Sequence, residues 1–179
     1  MFAGCLVVAL ALVPLTGGRL GALAELRLRA PGLVVAAIAL QVIVISVLPA
    51  SAPEWIGRTG HLASYVVLAA VAWANRRVPG VAVMAAGGAL NALAIAVNGG
   101  VMPASRWALA TAGIPAPQGF ENSDHLAHAH LAFLGDAFAL PASLPIANVF
   151  SVGDVLLVAG AAYGIHRLCR RPADVVGTV

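Results

Sequence analysis

One stretch decides the fold class of this chain: Val81–Val97, which reads VAVMAAGGALNALAIAV. It contains no charged side chain, and Asn91 is its only strongly polar residue. A helix that crosses the hydrocarbon core of a bilayer needs about 20 apolar residues, with a usual range of about 17–25. The stretch therefore predicts a membrane-spanning helix.

Four further segments are apolar over a similar length: Phe2–Thr16, Gly32–Leu48, His61–Asn75 and Val152–Ile165. The first and last of these are short for a span, so we expect their helices to run further or the bilayer to thin around them. We predict an all-α membrane protein with five transmembrane helices in one domain, residues 1–179. The long connection is residues 98–151.

The composition agrees with a membrane protein and excludes several other classes. Of 179 residues, 61% are hydrophobic and 9% are charged, against about 25% charged residues in soluble domains. Ten basic residues minus seven acidic ones leave a net charge of +3. We therefore exclude an ordinary soluble enzyme, a disordered chain and a nucleic-acid partner.

The arginines predict the orientation. With the N-terminus outside, eight arginines fall in cytoplasmic segments, and only Arg58 and Arg106 lie outside. The eight are Arg19, Arg27, Arg29, Arg76, Arg77, Arg167, Arg170 and Arg171. This is a strong positive-inside pattern. We expect a multi-pass protein of the bacterial cytoplasmic (inner) membrane, with the C-terminus in the cytoplasm and the lipid bilayer as its first partner.

The connection 98–151 is then extracytoplasmic, and it is too long to be a simple turn. We predict two short interfacial helices in it. The first is Pro103–Gly113, with Ser105 as its cap and Gly113 at its end. The second is Ser123–Leu134, with Ser123 as its cap.

Small residues are spaced along two of the predicted spans. Gly87, Asn91, Ala94 and Asn98 form one stripe in the fourth span, and Gly153, Gly160 and Gly164 form another in the fifth. Such stripes are typical of close helix packing in membranes.

Polar groups are costly at bilayer depth unless they are paired, so each needs a reason. Asp154 has two interpretations. With Ser151 as the N-cap, it occupies the acidic position of a capping box; alternatively, it is an acid or ligand that faces an outer cavity. We place the candidate ligand-binding residues in the same outer region: Asn98, Asn148, Ser151, His61 and Asn91.

Several strings resemble a known family. They are RRVPG at 76–80, GALN at 88–91, NGGVMP at 98–103, LGD at 134–136 and NVFSVGD at 148–154. Together they are similar to a family of small bacterial five-span membrane proteins catalogued as domain of unknown function 5317. The resemblance runs over nearly the whole chain and implies a multi-pass membrane protein without an established activity.

A weaker likeness, in layout only, is to signal peptidase II, a membrane aspartyl protease. Asn98–Gly100, Asp136 and the pair Asn148 and Asp154 follow the order of that family's strings. The last two lie six residues apart here, whereas the family has three. This layout implies a membrane-embedded hydrolase in which Asp136 and Asp154 are catalytic and share a proton.

Three functions therefore compete. The first is a small membrane bundle whose outer polar site binds a lipid headgroup, a peptide or a small molecule, and the second is the Asp136/Asp154 hydrolase. The third is a structural or partner-binding module, in which the polar cluster only pins the loop. We expect no cofactor. A zinc site at His125, His128 and Asp124 is a further hypothesis, because residues at i and i+3 share one face of the predicted outer helix.

Overall fold

The computed structural model of this chain describes residues 2–47, 53–114, 123–124, 126 and 128–170. This part of the chain is mostly helical. Its α-helices are α1 (Phe2–Leu15), α2 (Pro31–Val42), α3 (Glu54–Ala74), α4 (Val81–Val97), α5 (Arg106–Ala112) and α6 (Val152–Cys169). Shorter helical turns cover Leu20–Leu23, Ile43–Val47 and Ala132–Leu134.

All five predicted apolar segments are helical, and α4 has the predicted bounds. α3 begins at Glu54, seven residues before the expected start at His61. Its first turn is polar: Pro53 precedes it, and Arg58 Nη2 donates to Glu54 Oε2 at 2.6 Å. A hydropathy pattern does not detect a helical turn of this kind. α6 likewise continues past Ile165 to Cys169. Its last turn contains His166 and Arg167, so the apolar pattern ended before the helix did.

The chain is not purely helical. Four short strands lie between α4 and α6: β1 (Met102–Pro103), β2 (Ser123–Asp124), β3 (Phe138–Leu140) and β4 (Asn148–Phe150). β1 pairs with β2 in parallel, and β3 pairs with β4 as an antiparallel ladder. We call the described part of residues 98–151 the cap.

One predicted helix of the cap is confirmed, and the other is wrong. α5 is capped by Ser105, whose side chain accepts from the Ala108 N–H, and it ends at Gly113 with φ +68°. It begins at Arg106 and not at Pro103, because Pro103 belongs to β1. The predicted helix Ser123–Leu134 does not form: its first two residues are β2, and Leu131 has φ +50°, a conformation that a right-handed helix cannot contain.

The five long helices form a row. α4 packs against α6 on one side and α3 on the other, α1 packs against α6, and α2 packs against α3. The order in space is therefore α1–α6–α4–α3–α2. The cap lies where α4 ends and α6 begins, and we call this end of the helices the cap end. The other end carries the turn Leu20–Leu23 and the α3–α4 connection, and we call it the arginine end.

The α4–α6 contact is a seam of glycines, as the small-residue stripes predicted. A Cβ added to Gly160 would lie 2.8 Å from the Met84 backbone N, and one on Gly164 would lie 2.5 Å from Pro79 O. Nearer the cap, a Cβ on Gly87 would lie 3.0 Å from Leu157 N. The two backbones touch because none of these positions carries a side chain.

Among the described helices, α6 alone is long and apolar enough to cross a membrane by length and composition. Ala3–Leu15, Pro31–Val42 and Val81–Val97 are apolar but shorter.

Candidate functional site at the cap end

The centre of the site is a closed set of hydrogen bonds among three side chains. Asn91 Nδ2 donates to Asp154 Oδ1 at 2.8 Å, and Ser151 Oγ donates to Asn91 Oδ1 at 2.8 Å. Asp154 Oδ2 accepts from the Ser151 backbone N–H at 3.0 Å, and Ser151 Oγ accepts from the Asp154 N–H at 3.0 Å. The capping-box interpretation of Ser151 and Asp154 therefore describes the geometry, with Asn91 of α4 added as a third member.

Two glycines bring Asn91 within reach of the helix start. A Cβ on Gly153 would collide with the Asn91 side-chain amide, and it would lie 2.7 Å from Gly87 O. The first turn of α6 can therefore lie directly on α4. The small residues of the seam thus position the polar group as well as pack the helices.

α3 contributes a buried aromatic pair to the same region. The His61 and Tyr65 rings lie 5.4 Å apart between centroids and are tilted by 51°. His61 is only 2% exposed, and its ring interacts with the backbone of Gly100. The carboxylates of Asp136 and Asp154 both interact electrostatically with Tyr65. The two predicted catalytic aspartates therefore both lie within electrostatic range of Tyr65.

Asp136 is held through its backbone as well as buried. It is 4% exposed, its N–H donates to Pro103 O at 2.8 Å, and its carbonyl accepts from Ser105 N at 3.0 Å. These bonds join the segment around Asp136 to Pro103 and Ser105, which follow α4 in the chain.

Asn98, at the C-terminal end of α4, holds another part of the cap. Its Nδ2 donates to Ala94 O and to His130 O, both at 2.7 Å, and its Oδ1 accepts from the His130 N–H at 2.8 Å. All polar atoms of the Asn98 side chain are thus used on backbone groups. We call this arrangement the Asn98 clamp.

A comparison with the sequence models of known protein families assigns the chain to a family. The sequence model of a family of unknown function (DUF5317) matches residues 25–166. The chain belongs to this family. The resemblance drawn from the NGGVMP and NVFSVGD strings is thereby confirmed, and the matched region of DUF5317 contains every residue of the cap-end site described above.

No curated protein and no solved structure matches the chain, signal peptidase II included. Within the DUF5317 match, Asn148 lies on β4, opposite Leu140 of β3, and is half-buried. It belongs to the hairpin that leads into α6 and has no bond to the three-residue centre in the part of the chain described.

Two of the proposed metal ligands, Asp124 and His128, do not lie on a common helix. Asp124 lies on β2 opposite Pro103, His128 is exposed in a turn, and His125 lies outside the described residues. The i, i+3 argument fails because the predicted helix is absent. Within the described ranges, no group of three or more His, Cys, Asp or Glu residues could hold a metal ion.

The sequence analysis missed Asn75, which repeats the Asn98 arrangement at the arginine end. Asn75 Oδ1 accepts from the Arg29 N–H at 2.8 Å, and its Nδ2 donates to Arg29 O at 3.0 Å and to Val71 O at 2.8 Å. We call this the Asn75 clamp. Its signal in the sequence was an asparagine at the end of an apolar segment, as at Asn98.

Proposed function

We propose that this member of the DUF5317 family is an integral protein of the bacterial cytoplasmic membrane, with its five long helices crossing the bilayer. The row of helices supports this proposal. α1 and α2 are the two outermost helices of the row, and their side chains Leu15 and Val35 are 80% and 67% exposed. Water penalises such surfaces, whereas lipid chains cover them without cost.

Helix lengths support five spans when adjoining turns are counted. α2 has 12 residues, and the turn Ile43–Val47 continues it by five, giving 17 in all, which reaches the lower limit of about 17 for a span. α3 has 21 residues. α1 has 14, so the bilayer thins around it or its ends complete the crossing.

The charges support one orientation. Seven described arginines lie at the arginine end, and Arg58 and Arg106 lie at the cap end. By the positive-inside rule the arginine end faces the cytoplasm. The N-terminus and the cap are then outside, and the C-terminus is inside.

We further propose that the cap end binds a ligand that carries a positive charge, such as an amine-bearing lipid headgroup, a peptide or a small molecule. One observation carries this proposal: the carboxylates of Asp136, which is 4% exposed, and of Asp154, in the first turn of α6, both lie within electrostatic range of Tyr65. Two carboxylates within range of one aromatic side chain, with that of Asp136 buried, give this region a negative potential that favours a positively charged ligand. His61, Asn91, Asn98, Asn148 and Ser151 shape the surroundings of that region.

A hydrolase that uses Asp136 and Asp154 is the second candidate, and the electrostatic effect of both carboxylates on Tyr65 favours it too. The bonding of Asp154 weighs against it. Each Asp154 oxygen already accepts a hydrogen bond, one from Asn91 and one from the Ser151 N–H. A carboxylate held in this way stabilises a helix start and is poorly placed to move protons.

The membrane location is tested by alkaline carbonate extraction and by labelling single cysteines from either side of the membrane. We expect the protein to stay in the membrane pellet. Arg19→Cys should react only from the cytoplasm, and Glu54→Cys only from outside. Release into the supernatant, or the opposite labelling pattern, would contradict the location or the orientation.

The cap-end site is tested with phosphatidylethanolamine as the probe, in native mass spectrometry of the protein released from nanodiscs. We expect retained lipid on the wild type and a loss of about fivefold or more for Asp136→Asn, since one buried charge contributes at least this much. Glu54→Gln is the matched control, because Glu54 is an exposed acid at the same end. Equal retention by all three proteins would leave the structural or partner-binding module as the better interpretation.

The hydrolase is tested with the same Asp136→Asn variant and with Asp154→Asn. Reconstituted protein would be incubated with a fluorogenic lipoprotein-precursor peptide and with a labelled phospholipid. Cleavage by the wild type, abolished in both folded variants, would replace the binding proposal with the hydrolase. Absence of cleavage, or cleavage that survives in either variant, contradicts the shared-proton pair.

A further inference from the structure

We propose that the arginine end contains a binding site for the phosphate of an anionic phospholipid, formed by Arg29, Arg76 and Arg77 beside Trp73. The inference rests on the proposed membrane location. It concerns the opposite end of the molecule from the cap-end site, and it assigns a ligand of the opposite charge.

The Asn75 clamp assembles this site from two distant connections. Arg29 precedes α2, and Arg76 and Arg77 directly follow Asn75 at the end of α3. Because Asn75 binds both the N–H and the carbonyl of Arg29, the three guanidinium groups start from neighbouring points of the backbone. Asn75 is 5% exposed, so water does not compete for these bonds.

Within the part of the chain that the structure describes, no carboxylate forms a salt bridge with any of the three arginines. The salt bridge between Arg58 and Glu54 lies at the opposite end of the helices, the cap end. Arg29, Arg76 and Arg77 are exposed. Three like charges repel one another, and a bound anion removes this cost.

Arg76 and Trp73 are arranged as a headgroup contact. The Arg76 Cζ lies 4.8 Å from the centroid of the Trp73 ring, and its Nη1 donates to Trp73 O at 2.9 Å. The guanidinium is therefore held in place, with donors left for a phosphate, which the arginine fork matches well. Trp73 is 71% exposed, at the last turn of an apolar helix.

That indole ring identifies the source of the phosphate. Exposed tryptophans mark the headgroup level of membranes, where one side of the ring meets lipid chains and the other meets water. A soluble phosphate ester gains nothing from the ring or from the apolar α3 beside it. A phospholipid uses both, because its chains lie along the helix while its phosphate meets the arginines.

A second group of arginines at the same end supplies a matched control. Arg19, Arg167 and Arg170 lie at the α1–α6 corner, separated from α3 by α4 in the row. Arg170 Nη2 is used on Thr16 O at 3.0 Å, and no described tryptophan lies beside this group. It carries the same charge without the ring.

The experiment uses Trp73 as a local reporter of lipid composition. The full chain carrying Trp55→Phe and Trp107→Phe, which leaves Trp73 as the only tryptophan, is placed in phosphatidylcholine nanodiscs. About 10 mol% of the lipid is brominated phosphatidylglycerol or, separately, brominated phosphatidylcholine. We expect fluorescence quenching by the anionic lipid to be at least about fivefold stronger, since even one arginine near a headgroup attracts anionic lipid by about this factor at low salt.

Substitutions then localise the effect. Arg29→Gln, Arg76→Gln and Arg77→Gln together should reduce the preference to that of random mixing. Arg19→Gln, Arg167→Gln and Arg170→Gln together should leave most of it. Equal preference in both triple variants would overturn the site, and so would random mixing around the unsubstituted reporter protein.

Two further arms separate the remaining outcomes. If discs made wholly of brominated phosphatidylcholine fail to quench Trp73, the helix end is not in a bilayer and the proposed membrane location itself fails. If millimolar glycerol 3-phosphate abolishes the preference, the site takes a soluble phosphate and the lipid assignment is wrong. Quenching by the zwitterionic lipid without anionic preference contradicts this inference alone.

Discussion

The Asn75 and Asn98 clamps each attach a distant connection to the end of a helix, at opposite ends of the neighbouring helices α3 and α4. Both asparagines end a helix with φ −107°, and each binds one backbone carbonyl of its own helix and both backbone groups of a distant residue. The residue after the clamped one is left-handed in both cases: Ala30 has φ +52° and Leu131 has φ +50°. The shared geometry shows that the clamp is a device for attaching a connection to a helix end.

The clamps differ in their surroundings and in how the chain leaves them. The Asn75 side chain is buried and its bonds to Arg29 are partly buried, whereas the bonds from Asn98 to His130 are exposed. After Asn75 come Arg76 and Arg77, in ordinary conformations. After Asn98 come two left-handed glycines, Gly99 and Gly100. The stability contributed by the Asn75 clamp should therefore depend mainly on its hydrogen bonds, and that contributed by the Asn98 clamp mainly on the two glycines that follow it.

The largest effect is expected at Gly100. A Cβ there would lie 2.6 Å from the Arg58 Cβ, and φ is +97°. Gly100→Ala should destabilise the protein by about 3 kcal/mol, from backbone strain and overpacking combined. SDS titration in mild detergent measures this change. Arg77→Ala, at the equivalent position after Asn75, should stay within about 0.5 kcal/mol, and a similar loss at both positions would remove the distinction.

Asn75→Ala should be the next largest change. It leaves the partly buried Arg29 N–H and carbonyl without their partners and removes the buried bond to Val71 O, which together cost about 2 kcal/mol. The same unfolding titration measures it. An unchanged midpoint would mean that water replaces the bonds to Arg29, and that the Asn75 clamp depends on its hydrogen bonds no more than the Asn98 clamp does.

Asn98→Ala should cost only about 1 kcal/mol, because water can replace the exposed bonds to His130. Its effect should be local. Hydrogen exchange should rise at residues 128–134 and stay unchanged in α6. Faster exchange throughout α6 would show that the cap and the helix row unfold together.

The smallest effect is expected at the left-handed residues. Ala30→Gly should stabilise the protein by about 0.5 kcal/mol, since glycine adopts positive φ without strain. Leu131→Gly should gain nothing, because the half-buried leucine side chain loses its contacts. Thermal melting of the two variants side by side gives the comparison, and a destabilised Ala30→Gly would show that Ala30 is not strained.

The parts of this structure that depend on nearby residues could be predicted from the sequence. The apolar stretch of α4, the Ser105 cap and the Ser151–Asp154 capping box each involve residues within a few positions of one another. The Asn75 clamp joins residues 46 apart, and no local pattern marks Arg29 as its partner.

The same reason explains the missing helix of the cap. Ser123 followed by an apolar run has a good local helix signal. Its backbone, however, is bound by β1 at one end and by Asn98 at the other. Tertiary hydrogen bonds therefore override a local preference that contributes little. Whether Asp136 and Asp154 act on a ligand stays a prediction, because it depends on a molecule outside the chain.

The glycine seam also sets which parts of the protein can move. Where two helices meet backbone to backbone, sliding or rotating one against the other brings backbone atoms into collision at the glycines. α4 and α6 therefore form the fixed frame of the molecule. Any working motion has to be carried by α1 or by the α2–α3 pair. Spin labels on α4 and α6 would serve as the stationary reference against which such a motion is measured.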